Sequence, residues 1–434
     1  MIMHNNKMNN ILILHIIGCL ISGLVSAQQL KTEFSKNKLI RGEKDYFFLA
    51  STDEDLNSPK NVDMVEVAGN LKFNTKYYES ATFDISDSTQ KETKTDSAIV
   101  INKINFNKTT FSPIITSNGK NYISTSNGLI ICFGSEYETI WEYNTNGLIY
   151  SSLLKDKDLI IASTSEGDLF TINANNGDLV QVIGIGESIT SDIRLIDLEY
   201  NDMRTKGIVF GTESGNIYCY EIYSLEMVWE NYLSEERIVS NPLVVDNNII
   251  FETIESYYCV NSINGSLIWK WQKKKESEDK FFQSDLISDG SSLFYIDSDA
   301  KLVSIDLLLG TEQWQNRKKL SASGILFMTT NKKELIVHST KNQLLLVNHS
   351  NGKVTKEIDL PDDLKNSLPN CIMENNSVNL IGFDNGFICK LNFSEKITTI
   401  IFTGSARVIS IVSLGRNEFL SNSLDGNLIH FSLQ

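Results

Sequence analysis

The sequence predicts an all-β fold, an eight-bladed β-propeller of four-stranded antiparallel blades whose last blade is closed by an N-terminal strand. Three observations carry that expectation. Eight segments share one pattern, in which two apolar strands flank a tight turn. The second strand of each is apolar at adjacent positions, and no long segment has the 3.6-residue periodicity of an amphipathic helix.

The repeating segments include "YISTSNGLIICF", "IVFGTESGNIYCY", "LIGFDNGFICKL" and "FLSNSLDGNLIHF", with a shorter, glycine-free turn in "IIFETIESYYCV". Their turns end at Gly128, Gly167, Gly215, Glu255, Ala300, Asn342, Gly386 and Gly426, spaced 39 to 48 residues apart. Two positions later come Ile130, Leu169, Ile217, Tyr257, Leu302, Leu344, Ile388 and Leu428. The next residues are Ile131, Phe170, Tyr218, Tyr258, Val303, Leu345, Cys389 and Ile429. Neighbouring strand residues point to opposite faces, so this strand must be covered on both sides, as in a blade held between two others. Pro113, Pro242 and Pro369 each open an apolar run, where a missing amide hydrogen leaves no ladder bond unmade.

A second turn follows six of these strands. Its fullest form is NxxxGxxxW, complete at Asn261, Gly265 and Trp269, and with aspartate at Asp306, Gly310 and Trp314. Asn173 with Gly177, and Asn348 with Gly352, keep the turn without the tryptophan. Trp141 and Trp229 keep the tryptophan, with Tyr137 and Leu225 at the glycine position. The last unit, from about Arg407, has only three strands. Its missing outer strand is expected from "SAIVINKINF", residues 97–106, because an unpaired edge invites aggregation and closure removes it.

Residues 1–27 read as a secretory signal. Lys7 lies in a polar start, an apolar run begins at Ile11, and Val25, Ser26 and Ala27 set cleavage before Gln28. Ile16, Ile17, Gly18 and Cys19 also fit a lipoprotein box, which would leave Cys19 acylated, although Leu20 to Val25 stay mostly apolar where a mature lipoprotein turns polar. No later run reaches the roughly 20 apolar residues that span a bilayer. Residues 28–96 form a variable segment, expected to hold a strand or two, with a polar tract from Asp84 to Asp96 that is unlikely to fold. The propeller occupies 97–434.

The net charge of −15 opposes nucleic-acid partners, and the basic run Lys273 to Lys275 is followed by Glu276, Glu278 and Asp279. Five cysteines follow the signal: Cys132, Cys219, Cys259, Cys371 and Cys389. The first three hold equivalent places in different blades, too far apart for a disulfide. Cys371 and Cys389 fall on first and third strands of one sheet, about 9.6 Å apart. All five are expected to be buried thiols. His338, His349 and His430 lack metal-ligand spacing. Asp297, Asp299, Asp384 and Asp425 sit in turns, where such side chains bond their own backbone, and none completes a calcium loop.

The NxxxGxxxW pattern resembles the tryptophan-docking repeat of the quinoprotein-like, pyrroloquinoline-quinone-type propellers, a family of eight blades. The resemblance covers residues 97–434. It implies that the tryptophans pack between blades and that the Asn or Asp and Gly shape the turn. The family contains quinone-dependent dehydrogenases, which hold quinone and calcium over the central channel, and non-catalytic scaffolds such as the assembly lipoprotein BamB and lumenal sensor domains of stress-response kinases. This chain has no adjacent cysteine pair and no long insertions to build a cofactor chamber. The expectation is therefore an exported, monomeric, BamB-like propeller of the periplasm or cell envelope. It would bind proteins through rim loops or the channel mouth, with no cofactor, no metal and no catalytic residue. A quinoprotein dehydrogenase and a carbohydrate-binding or sensor propeller are the alternatives.

Overall fold

Each unit folds into a four-stranded antiparallel sheet in simple up-and-down order, as the computed structural model shows. The structure describes residues 37–41, 47–51, 98–201, 203–273, 286–297, 299–316, 320–329, 331–339, 341–374, 378–392, 397–404, 406–415 and 417–433. The signal, its cleavage point, Cys19, the polar tract 84–96 and Lys274 to Asp279 lie outside them. Within the variable segment, Asn37–Arg41 pairs antiparallel with Phe47–Ser51.

Blade 1 runs from its inner strand Ile115–Ser117 through Lys120–Ser124 and Leu129–Phe133 to its outer strand Thr139–Asn144. Blades 2 to 7 repeat this order, opening at Leu154–Asp156, Arg194–Tyr200, Leu243–Val245, Ile287–Ser288, Ser321–Met328 and Pro369–Glu374. Blade 8 has three consecutive strands, Val408–Gly415, Glu418–Ser423 and Asn427–Leu433, and takes its fourth from Ala98–Asn105. That strand pairs antiparallel from Ala98↔Leu433 to Asn105↔Asn427, with a bulge between Val100 and Asn102. The Asn105 amide donates to Asn427 Oδ1 at 2.9 Å, and the Lys103 ammonium reaches the Thr403 carbonyl at 3.3 Å. The expected latch is therefore present.

The third strands have no solvent face. None of the sixteen residues at their two repeating positions is more than 7% exposed. They divide between clusters that each join two neighbouring blades. Trp141, Ile130 and Cys132 meet Ile160, Phe170 and Ile172 across blades 1 and 2. Ile131 and Phe133 meet Leu420 and Leu428 across the closure. The core is thus a ring of interfaces. The turns ending at Ala300 and Asn342 take φ of 62° and 60°, the left-handed conformation that glycine supplies in five other units. Glu255 avoids it because its turn is closed earlier, by Thr253 N–H to the Ser256 carbonyl at 2.8 Å.

The tryptophans dock between blades, as the resemblance implies. Trp141, Trp229 and Trp269 donate Nε1–H to Ala174, Ser262 and Leu307 carbonyls of the next blade at 3.1, 3.0 and 2.8 Å. Each ring lies on the next blade's turn glycine. A Cβ added at Gly177, Gly265, Gly310 or Gly352 would come within 2.8 Å of Trp141, Trp229, Trp269 or Trp314. This resolves the incomplete copies in the sequence, because tryptophan and glycine are matched between blades and not within one. Blade 2 carries Gln181 where blades 1, 3, 4 and 5 carry tryptophan, donating to the Ser224 carbonyl at 3.2 Å, and blade 3 accordingly has buried Leu225 at the glycine position. Leu225 and Tyr137 hold positive φ of 50° and 67°, so the turn survives without glycine.

The polar half of the motif pins the turn. Asn261 Oδ1 accepts Ile263 N–H at 2.8 Å, and Asp306 Oδ1 accepts Leu308 and Leu309 N–H at 3.0 and 2.9 Å. Cys132, Cys219 and Cys259 lie opposite Trp141, Trp229 and Trp269 in their ladders, a small side chain beside each indole.

Two outcomes follow for stability. Removing residues 98–105 strips the ladder from Asn427–Leu433; with seven paired positions at about 1 kcal/mol each, melting should fall by roughly 10 °C or more. An unchanged calorimetric Tm would refute the latch. Separately, Gln181→Trp alone should destabilise by about 1–3 kcal/mol through collision with Leu225, and Leu225→Gly should recover most of that loss in the double variant. Urea titration of the four proteins gives the coupling, and additive effects would contradict cross-blade docking.

Candidate interaction site at the channel mouth

The turns between second and third strands and the connections from each outer strand to the next inner strand share one face of the ring. Hydroxyl groups organise those turns. Thr125, Thr164, Thr212, Thr253 and Ser423 open them, and all five are buried. Thr212 Oγ donates to the Asn216 carbonyl at 3.1 Å, and Thr164 Oγ accepts Asp168 N–H at 3.1 Å. Asp297 takes this place in blade 5, its Oδ1 accepting Asp299 and Lys301 N–H at 3.0 and 2.8 Å. Sequence reasoning missed this set, although a Thr or Ser three residues before the turn glycine was visible at Thr125, Thr164, Thr212 and Ser423.

Where each connection enters its inner strand, side chains tie blade to blade. Asn370 Nδ2 donates to the Val408 carbonyl at 2.8 Å. Ser410 Oγ accepts Ile114 N–H at 3.1 Å, and Ser112 Oγ accepts Leu153 N–H at 3.1 Å. Ser152 gives its N–H and Oγ–H to Asp192 at 2.9 and 3.1 Å, and Asp192 N–H goes to Asn241 Oδ1 at 2.9 Å. The Arg194 guanidinium stands 3.4 Å from the Asp192 carboxylate. These bonds run from blade 7 through blades 8, 1, 2 and 3 to blade 4. These polar side chains are thus engaged in holding neighbouring blades together.

At the junction of blades 4 and 5 a different cluster replaces them. The Glu252 carboxylate, fully buried, pairs with the Lys273 ammonium. Lys273 also donates to the Thr253 carbonyl at 2.8 Å and lies 4.6 Å from the Tyr257 ring centroid. Burial pushes the Glu252 carboxyl up and the Lys273 ammonium down, and each partner opposes the other's shift. Tyr257 packs against Tyr295 with centroids 4.9 Å apart, and Trp271 Nε1–H reaches the Tyr295 hydroxyl at 3.0 Å. Gln315 Nε2–H reaches Asp297 Oδ2 at 2.6 Å. The connection leaving this junction, from Gln272 to Ile287, is the longest between blades. The ion pair ties the second and outer strands of blade 4 together, and the Tyr257–Tyr295 and Trp271–Tyr295 contacts carry the junction to blade 5.

The remaining residues singled out from sequence are dispersed. Asp384 Oδ1 accepts Leu368 N–H at 2.9 Å, Asp425 Oδ2 accepts the Asn427 amide at 2.6 Å, and Asp299 pairs with Lys301 at 2.7 Å. His338 is buried in blade 6. His349 Nδ1 lies 2.7 Å from Asp289, and His430 Nε2 lies 3.4 Å from Glu418. Among the described residues no three His, Cys, Asp or Glu side chains are grouped to hold a metal ion. All five cysteines are thiols, and burial raises Cys219 and Cys259 to about 12. Four are buried as expected. Cys371 is only half-buried, on an inner strand of which Pro369 and Asn370 alone are buried.

Comparison with known proteins places these features. The profile of the family described as outer membrane protein assembly factor BamB matches residues 203–317 and 255–434, more than half of the chain. The BamB of Shewanella oneidensis is 22% identical over 269 residues, covering 56% of this chain and 62% of that protein, so the match spans under two thirds of the relative's length. Among solved structures, BamB from Moraxella catarrhalis superposes with a TM-score of 0.62 at 17% identity, over 77% of this chain and 99% of that one. The computationally designed Ika8 protein gives 0.61 at 11% identity over 76% and 97%. Sqt1 of Saccharomyces cerevisiae gives 0.59 at 13% over 77% and 98%. These likenesses establish the fold.

His338 provides a pH test of the packing. Burial lowers its pKa to about 4, below the unfolded value near 6.5, so the unfolded chain takes up its proton first. Stability from the neutral ring is complete above pH 6.5 and is lost as pH falls towards 4, amounting to about 2 kcal/mol between pH 6.5 and 5. Urea midpoints of wild type should fall across that interval and those of His338→Gln should fall less. Parallel slopes would show that the imidazole stays solvated.

Proposed function

The chain belongs to the family of the outer membrane protein assembly factor BamB, and from that membership we propose an exported, non-catalytic scaffold that holds other cell-envelope proteins. The observation that carries this reading is the bonding of the channel mouth. Ser112, Ser152, Asp192, Asn241 and Ser410, where connections enter the inner strands, are engaged with neighbouring blades. What remains to engage a partner is the loops.

The quinone reading fits less well. A quinone with calcium needs convergent carboxylate and amide donors at the mouth. Asp192 is committed to Ser152 and Arg194, and no grouped set of acidic donors occurs among the described residues. Export rests on the signal-like residues 1–27, and no helix among the described residues is long and apolar enough to cross a membrane. The relatives' name, an outer membrane protein assembly factor, supplies the partner class. Acylation of Cys19 would anchor the protein beside such partners.

The test uses the mature protein. Added pyrroloquinoline quinone and calcium should leave no bound quinone absorbance after gel filtration, and chemical cross-linking in intact envelopes should join the propeller to outer-membrane assembly proteins. Stoichiometric quinone binding with dye reduction would overturn the proposal.

A further inference from the structure

The tips of the turns that receive the docked tryptophans form a natural control, since one backbone geometry is repeated with different side chains. The residue two after the one that opens the turn, an Asn, Asp or Glu in blades 2 to 6 and Phe133 in blade 1, is exposed throughout: Ser135, Asn175, Tyr223, Ile263, Leu308 and Ser350. In blades 2 to 6 its N–H is held by the opening residue's side chain, at Asn175, Tyr223, Ile263, Leu308 and Ser350 alike. The fold therefore asks nothing apolar of this position, and blades 1, 2 and 6 place polar residues there.

Blades 3, 4 and 5 place Tyr223, Ile263 and Leu308, at 41, 65 and 73% exposure, with Leu309 adding 66%. Outer-strand apolar residues such as Ile140, Leu179 and Val354 recur around the ring and distinguish no sector. The tips do. They are also rigid, because Trp229 and Asn231 bond the Ser262 and Gly265 carbonyls and Trp269 bonds the Leu307 carbonyl. Exposed apolar groups recurring on the rigid turns of three successive blades mark an interaction face.

We propose that the tips of blades 3 to 5, centred on Ile263, Leu308 and Leu309 on the face opposite the channel mouth, dock an apolar segment of a partner protein flanked by lysine or arginine. Charge selects this occupant. Exposed carboxylates Glu226 and Glu312 lie in the outer-strand turns of blades 3 and 5, and Asp246 in the first hairpin turn of blade 4. The stretches 221–227, 261–267 and 306–312 contain no Lys or Arg, and exposed Arg204 on the first hairpin of blade 3 pairs in its ladder with Glu199. Lys157 of blade 2, 5.3 Å from the Tyr223 ring centroid, marks the end of the arc. An anionic bilayer would be repelled by these carboxylates, and a second copy would set like charges together at a net −15 each.

The inference rests on the scaffold reading but concerns a different face from the mouth. A photo-crosslinking amino acid would be placed at Leu309, at Asn175 and Ser350 as equivalent polar controls, and at Asn127 on the mouth face, in the cells that make the protein. Cross-linked peptides would be sequenced by mass spectrometry. We expect adducts at Leu309 to an apolar peptide with basic flanks, reduced at least tenfold by Ile263→Ser with Leu308→Ser at unchanged Tm. Adducts no stronger than at Asn175 and Ser350, adducts to lipid or to a second copy, or flotation with phosphatidylglycerol vesicles that the serine variant loses would overturn the arc. Adducts at Asn127 alone would overturn it and leave the scaffold reading standing. No protein adducts at any position would end both.

Discussion

A strand buried on both faces cannot be stable in isolation, and every blade of this protein is built around one. Apolar residues stand side by side at Ile130 and Ile131, or Tyr257 and Tyr258, so each sheet must be covered by one neighbour on either side. Each cover needs its own cover in turn, and only a closed ring ends the series. The inter-blade clusters, the docked indoles and the latch are solutions to that single requirement. Burial here is cooperative by construction, since no blade owns its core.

Much of this was legible in the residues. The turn ends, the doubly apolar third strand and the missing outer strand of the last unit lead to eight blades and to closure by residues 97–106. The matching of tryptophan with glycine was not legible, because a motif read along the chain assigns both to one blade, whereas Trp141 belongs with Gly177 and Trp229 with Gly265. Leu225 opposite Gln181 is the other solution of the same steric problem. The mouth bonds were hidden for a different reason: Ser112, Ser152, Asp192, Asn241 and Asn370 differ in type and reach, and their partners lie in neighbouring units. Cys371 was misjudged because burial was inferred from residue type, while the inner strand that carries it is only partly buried.

The repeat also separates structure from use. At equivalent positions most differences between blades compensate one another: Ala300 and Asn342 adopt the φ of a glycine, and Asp297 replaces a hydroxyl. Glu252 with Lys273 occupies a junction that the mouth bonds skip, and its pairing is internal. Leu308 and Ile263 compensate nothing. Side chains that no neighbour requires are the ones open to selection by something outside the molecule.

The closing strand has a temporal consequence. Asn105 and Asn427, joined by one hydrogen bond, are 322 residues apart in the chain. Ribosomes make the latch long before its seat exists, so Ile99, Val100 and Ile101 must wait as an unpaired, β-prone segment while seven sheets assemble. Ring closure is then a late event of high contact order, and the nascent protein depends until that moment on whatever shields the waiting strand.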